Sequence, residues 1–483
     1  MIEMSLAEVA EVTHGRVRDG DPETMVTAAA FVDSRRVIRG GVFVALPGEH
    51  VDGHDFAGAA MDGGAVAVLA ARRVGRRAVV VEDTVAALGR LTRVVMERLP
   101  DLRIVAVTGS QGKTSTKDLM AQILESAGPT VAAQGSFNNE IGVPLTALQA
   151  TAQTRYLVVE MGSRGPGHIS HLCRITPPDV AVVLNVGVAH LGEFGSRDQI
   201  ALAKAELVEA LPGDGTAVLN ATDPRVSAMS ARTSARVLTF GESQTADVQV
   251  RDLVVDGSGR PRFRLVHGGD DRQVSLPLIG AHQAANAAAA AGAALACGLS
   301  LEAIAAVLPS VSQRSRWRME VHERADGVIV INDAYNANPD SMRAALESLV
   351  AIGQGRGDGT RTWAVLGEMC ELGTASRQEH ETLGRLVAAY NVSRLLVVGE
   401  EAKPLHLGAS QKSGWQGESV LVRDVEQAVR HLSGRLRAGD VVLVKASRAA
   451  GLEYVAEQLL ADSATAGGVA NPEDAPQTEE GAR

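Results

Sequence analysis

Arg103-Ile104-Val105-Ala106-Val107-Thr108-Gly109-Ser110-Gln111-Gly112-Lys113-Thr114-Ser115-Thr116-Lys117-Asp118-Leu119-Met120 is the stretch that decides the fold. A β-branched run ends in a two-glycine turn, and a helical pattern follows with apolar residues at Leu119, Met120, Ile123 and Leu124. The reading is strand, glycine loop, helix. Glycine lets backbone amides approach an oxyanion, the helix N-terminus adds its dipole, and Lys113 adds a point charge. Such a cradle suits a nucleoside triphosphate. The spacing is shorter than the usual G-x-x-x-x-G-K-[ST], because Val107 stands five before Gly112. The bland alternative is a strand-to-helix turn with an exposed lysine; the strand, both glycines, Lys113 and Thr114 in order favour phosphate.

The chain of 483 residues is long enough for about three domains. With 47 basic and 57 acidic residues its net charge is −10, which leaves no electrostatic footprint for nucleic acid. Met1 to Ala10 carries acidic residues rather than a basic leader, and no apolar run reaches the ~18 residues of a membrane span. A soluble, cytoplasmic protein without membrane insertion is expected, acting as a monomer. Cys173, Cys297 and Cys370 form no C-x-x-C pair and read as small hydrophobes rather than disulfide or zinc ligands.

Residues up to about Pro100 read as a small α/β module. Its expected strands are Ala28 to Val32, Gly41 to Leu46, Ala65 to Leu69 and Ala78 to Val81, with helices at Asp55 to Met61 and Val85 to Leu99. After the glycine loop, strands are expected at Tyr156 to Val159, Val180 to Val186 and Thr216 to Leu219. Glu160, Asn185 with His190, and Asn220 follow them, at the carboxyl ends where ligands gather in a doubly wound sheet. Val237 to Leu276 reads as antiparallel hairpins and His282 to Ala296 as an alanine-rich helix. From near Pro309, strands at Val328 to Asn332, Trp363 to Leu366, Leu395 to Val398 and Val441 to Val444 alternate with helices at Ser341 to Val350, Gln378 to Tyr390 and Val425 to Leu436. That alternation means a parallel, Rossmann-like sheet. The expected divisions are 1–101, 102–312, 313–462 and a disordered tail, 463–483.

Several residues could carry chemistry. Glu160 can hold Mg²⁺ beside the Thr114 hydroxyl, or serve as an ion pair at a sheet edge. His190 is either a structural loop histidine or a group on the ligand-facing edge. Lys204, within Ile200 to Val208, is indistinguishable by spacing from a solvated lysine. Asp33-Ser34-Arg35 and Asp52-Gly53-His54 read as polar loops. In Asn332 to Ser341, Asp340 or Ser341 can cap the next helix, which leaves Asp333, Tyr335 and Asn336 as a ligand loop.

Taken together, these residues resemble the Mur ligases, ATP-dependent amide-forming enzymes of peptidoglycan precursor synthesis. The likeness rests on Thr108 to Thr114, Asp33-Ser34-Arg35, Asp52-Gly53-His54, Asn138-Asn139-Glu140-Ile141-Gly142-Val143-Pro144, Asp333 to Ser341, Val365-Leu366-Gly367-Glu368-Met369 with Glu371-Leu372-Gly373, and Val444-Lys445-Ala446-Ser447-Arg448. It implies three α/β domains that bind, in order, a UDP-linked substrate, ATP with Mg²⁺ on a P-loop-type sheet, and the incoming amine on a Rossmann-like domain. The Tyr335 to Ser341 and Leu366 to Met369 runs point to the branch that joins D-alanyl-D-alanine to UDP-N-acetylmuramoyl-tripeptide. The resemblance assigns Gly109, Ser110, Gln111, Gly112, Lys113, Thr114 and Ser115 to ATP, with Asn286 on adenine and Arg318 and Asp333 on phosphate and ribose. Thr114, Glu160, His190 and a carbamylated Lys204 become metal ligands. Lys113, Glu160, His190 and Lys204 become the catalytic set. Ser34, Arg35, Asn138, Asn139, Tyr335, Asn336 and Asn338 become substrate contacts. Gln283, Trp317 and Ala446 depart from the family's usual asparagine, glycine and glycine. The rival readings are another amide ligase of the superfamily, adding the third amino acid or acting as a folylpolyglutamate synthetase, and a nucleotide-driven switch.

Overall fold

The computed structural model describes residues 1–48, 51–188, 191–357 and 359–466. The chain forms two compact units: Met1–Asp256 with Arg260–Arg316 and Glu371–Gly373, and Gly257–Gly259 with Trp317–Cys370 and the chain from Thr374 on.

The first unit holds two larger sheets and a short antiparallel pair, Met4–Ser5 with Met25–Val26. A four-stranded sheet runs Arg16–Arg18, Ala78–Val80, Ala67–Ala70, Val42–Val44, parallel except for its first strand. Ala28 to Val32 is not a strand: it bridges Val42–Val44 only at Phe31, because the Thr27 and Ala28 amides both donate to the Gly40 carbonyl. The helix Thr84–Glu97 starts where the Asp83 carboxylate accepts from the Val85 and Ala86 amides. Its Leu88, Leu91 and Val95 enter one hydrophobic core with Leu148, Ile169 and Cys173 of the segment that follows.

The glycine-loop strand Arg103–Thr108 lies inside a nine-stranded sheet, third from one edge. The order is Asp270–Ser275, Pro261–His267, Val248–Val255, Arg236–Gly241, Thr216–Asn220, Val180–Val183, Arg103–Thr108, Tyr156–Glu160, Thr130–Ala132. The apolar strands of this sheet are buried on both faces and pair in parallel. The hairpin expectation for Val237 to Leu276 is half corrected. Arg236–Gly241 pairs in parallel with Thr216–Asn220 after a short helical crossover, and only the last three strands are antiparallel. The alanine-rich helix His282–Ala296 packs on Lys113–Glu125 and the sheet, an approach that only small side chains allow. A Cβ at Gly292 would lie 2.7 Å from the Val218 side chain.

The second unit carries a six-stranded sheet ordered Glu320–Glu323, Ile329–Asn332, Val441–Lys445, Thr362–Leu366, Arg394–Val398, Glu418–Val422, parallel except at its first strand. Glu320–Glu323 and Glu418–Val422, both edge strands, and the helices Lys403–Ser410 and Glu453–Ala466 were not expected from the sequence. The last helix takes in 463–466, expected as tail; 467–483 lie outside the described residues. Asn338 is the N-cap of Pro339–Gly355, with its side chain accepting from the Ser341 amide at 2.9 Å and Pro339 at the first helical position. The cap expected at Asp340 or Ser341 therefore sits two or three residues earlier.

Gly292→Ile should overpack the contact with Val218 and cost about 1–3 kcal/mol, read as a lower urea midpoint at unchanged slope. An unchanged midpoint would contradict the described packing.

Candidate active site

The first unit brings the phosphate loop, Asn185 and Glu160 together by strand order. Thr108 ends the strand flanked by Val180–Val183 on one side and Tyr156–Glu160 on the other, so the residues that follow all three strands meet at one edge. Asn185 braces the loop: its Oδ1 accepts from the Ser110 and Gln111 amides at 2.9 and 3.0 Å, and its Nδ2 donates to the Gln111 carbonyl at 3.2 Å. The Gly187 amide donates to Ser110 Oγ. Gly112 is left-handed (φ 80°) at the helix N-cap, and a Cβ there would lie 2.6 Å from Asn286 Oδ1. Glycine is required at that turn on both counts. The Lys113 ammonium donates to the Gly109 carbonyl at 2.8 Å, folded over its own loop.

Glu160 is 1% exposed, and its oxygens accept from the Thr114 hydroxyl and from Asn138 Nδ2, each at 2.8 Å. Among the described residues no lysine, arginine or histidine pairs with it. A buried carboxylate with hydroxyl and amide donors and no cationic side chain is the donor chemistry of a hard divalent ion. The Ser136 and Thr114 hydroxyls lie 2.8 Å apart. Lys117 fixes this side of the site: its buried ammonium donates to the Ala133 and Gly135 carbonyls and pairs with Asp118 at 2.8 Å.

Lys204 sits on Arg197–Glu209 and is buried, not a solvated surface lysine. Burial, followed by the nearby Lys113 charge, pushes its ammonium down to about 7, so the neutral amine is well populated at neutral pH. The sequence held a signal for this. Lys204 shares the helical face of Ile200, Leu207 and Val208, which are buried too. Lys117 likewise lies three before Met120 and seven before Leu124 on the apolar face of its helix.

Asn286 donates to Gln283 Oε1 at 3.0 Å, so the glutamine that departs from the family pattern orients the asparagine it neighbours. Ser115 lies in the first turn after Lys113. Asn139 Oδ1 accepts from the Ile141 and Gly142 amides at the start of Gly142–Ala147, and Asn138 serves Glu160, so both expected substrate asparagines have internal roles. Arg35 is largely exposed and bidentate to Asp33, both contacts 2.9 Å, which holds that carboxyl down to about 2; Ser34 lies between them. The Ala71 amide donates to His54 Nε2, which leaves Nδ1 to donate to Asp52. His190 lies outside the described residues.

In the second unit, Asp333 and Lys445 form a buried pair at 2.6 Å, and Lys445 also donates to the Asn336 carbonyl at 2.8 Å. Asp333 Oδ1 accepts from the Met319 amide. The Arg318 guanidinium lies 4.2 Å from the centroid of the Tyr335 ring. Asn336 Oδ1 takes the Ala337 amide, and the Asn338 side chain is spent on its cap. Lys445 was not singled out as a site residue, although a lysine closing the apolar run Val441 to Val444 beside a strand that ends at Asn332 was a visible signal.

Three family models match the chain. Residues 107–294 match the Mur ligase middle domain, 317–448 the Mur ligase glutamate ligase domain, and 30–98 the Mur ligase family catalytic domain. A Mycobacterium tuberculosis protein named UDP-N-acetylmuramoyl-tripeptide–D-alanyl-D-alanine ligase is 46% identical, over 96% of this chain and 98% of its own. The chain belongs to the Mur ligase family. The same-named Escherichia coli ligase is 33% identical, over 95% of this Mur ligase and 99% of its own length. A crystal structure of MurF from Acinetobacter baumannii superposes with a TM-score of 0.84 at 31% identity, covering 95% and 99% of the two chains. MurF ligase from Thermotoga maritima in complex with ADP gives 0.77 at 32%, covering 91% and 99%.

The buried Lys204 ammonium makes stability depend on pH. The unfolded chain holds that proton up to the ordinary lysine range near 10.5 and the folded chain only to about 7, so the burial penalty is full below 7, fades between the two values and is gone above. In CO₂-free buffer the stability gained by Lys204→Met should therefore be largest near pH 6 and shrink steadily toward pH 10. A gain that does not vary with pH would contradict the buried amine.

Proposed function

We propose that this Mur ligase joins D-alanyl-D-alanine to UDP-N-acetylmuramoyl-tripeptide at the expense of ATP. The observation that carries the reading is 46% identity over 96% of the chain to a ligase of that name. The geometry at Gly109 to Thr114 agrees with it. A triphosphate laid along the loop would meet the helix N-terminus and Lys113, and Asn286, beside Gly112, is assigned to the adenine.

In the first step a carboxylate oxygen of the tripeptide attacks the γ-phosphorus of ATP, the bond to the bridging oxygen breaks, and ADP leaves. The D-alanyl-D-alanine amine then attacks the acyl-phosphate carbonyl. Inorganic phosphate departs, the amine loses a proton, and an amide remains. Carboxylate and triphosphate repel each other, so charge neutralisation dominates the first step. The chain supplies Lys113 on the phosphates and the Asn185-braced amides of Ser110 and Gln111. Mg²⁺ held by Thr114, Glu160, His190 and Lys204 would neutralise the remaining charge when bound. Burial favours the neutral amine at Lys204, the form that can take up CO₂, and the carbamate would turn a cation into an anionic oxygen ligand. Arg318 and Asp333 are assigned to the nucleotide, and Tyr335 and Asn336 to the loop that receives the amine substrate. Residues 1–101, with Ser34 and Arg35, are assigned to the UDP portion. We place the reaction in the cytoplasm, where UDP precursors and ATP are found.

Incubating the protein with ATP, Mg²⁺, UDP-N-acetylmuramoyl-tripeptide and D-alanyl-D-alanine should give one pentapeptide product and one ADP per amide. Glu160→Ala should lower kcat by about a hundredfold or more, and a chelator should abolish turnover. Product formation with single amino acids but not the dipeptide would point instead to a sibling ligase.

A further inference from the structure

Arg318 stands between two residues in the left-handed region, Trp317 (φ 57°) and Met319 (φ 53°). Bulky side chains are strained there, and glycine is the residue that adopts such a turn without cost. A tryptophan held in this conformation is over-determined by its surroundings, and the second unit shows how. The Arg448 guanidinium lies 4.0 Å from the centroid of the Trp317 ring and also pairs with Glu453. The Tyr335 amide donates to the Trp317 carbonyl at 3.3 Å. The Met319 amide donates to Asp333 at 3.1 Å, and Asp333 is anchored by Lys445. Arg318 is then delivered onto the Tyr335 ring at 4.2 Å.

We propose that Trp317 is a positioning residue for Arg318: its indole, stacked against Arg448, locks the left-handed turn that presents the Arg318 guanidinium in one orientation to an anionic ligand. The proposal rests on the assignment of Arg318 to the nucleotide. A glycine would permit the same turn and many others. The stacked indole exchanges that freedom for a single orientation, and a planar guanidinium gains most from this because its fork of donors matches phosphate oxygens only in a defined pose. Arg448 is suited to the clamp for the same reason, since a flat cation covers an indole face in a way an ammonium does not.

The test uses the full chain, with kcat, KM for ATP, KM for D-alanyl-D-alanine and the unfolding midpoint measured for Trp317→Gly, Trp317→Phe, Arg448→Lys and Arg318→Ala. Trp317→Gly should raise KM for ATP about five- to tenfold, with KM for the dipeptide and the unfolding midpoint little changed, because relief of backbone strain offsets the lost stack. Trp317→Phe should keep most of the parent value. Arg448→Lys, which keeps the charge beside Glu453, should match Trp317→Gly, and the double variant should be no worse than either single one. Parent-like KM for ATP in both Trp317→Gly and Arg448→Lys, with Arg318→Ala impaired, overturns the clamp alone. A parent-like Arg318→Ala overturns the nucleotide assignment beneath it. A fall in kcat and midpoint with no change in KM for ATP also overturns the proposal, since that marks a merely structural tryptophan.

Discussion

The hydrogen bond from Thr114 to Glu160 ties the start of one helix to the end of the neighbouring strand, across the mouth of the phosphate loop. It exists because Arg103–Thr108 and Tyr156–Glu160 pair in parallel and in a register that ends both at the same edge. One consequence is a carboxylate taken out of water with no cationic side chain beside it among the described residues, a costly arrangement unless a cation completes it. Asn138, Ser136, Lys117 and Asn185 all serve this edge by holding loops rather than by offering themselves to solvent.

Much of this was legible in the sequence, and the reason is burial on both faces. Stretches such as Ile104 to Val107, Tyr156 to Val159 and Val441 to Val444 are unbroken apolar runs, and His282–Ala296 was read with both ends in place. Short pieces were not legible. Met25–Val26 and Arg16–Arg18 are too brief to show a period, and Ala28 to Val32 has strand composition while the Gly40 carbonyl takes the amides of Thr27 and Ala28 at its start. The site was legible where a residue follows a strand, as with Glu160 and Asp333. It was least legible for lysines on helices, because Lys204 and Lys117 look solvated until the apolar face they share with Ile200, Leu207, Met120 and Leu124 is drawn.

The resemblance to the Mur ligases supplied what local patterns could not, namely the acceptor and the amine. It also marked departures that the fold explains. Gln283 is a hydrogen-bond partner for Asn286. Trp317, where glycine is usual, stands in the left-handed region that favours glycine and adds a ring under the Arg448 guanidinium. Asn138, Asn139 and Asn338 carry structural bonds, so any contact they make with substrate must come from the atoms those bonds leave over.

The most direct measurement follows oxygen. When the tripeptide carboxylate attacks ATP, one of its oxygens must leave with phosphate. Turnover of tripeptide labelled with ¹⁸O in its terminal carboxyl, with ATP and D-alanyl-D-alanine, should place one labelled oxygen in each inorganic phosphate released. Phosphate free of label, with amide still formed, would contradict it.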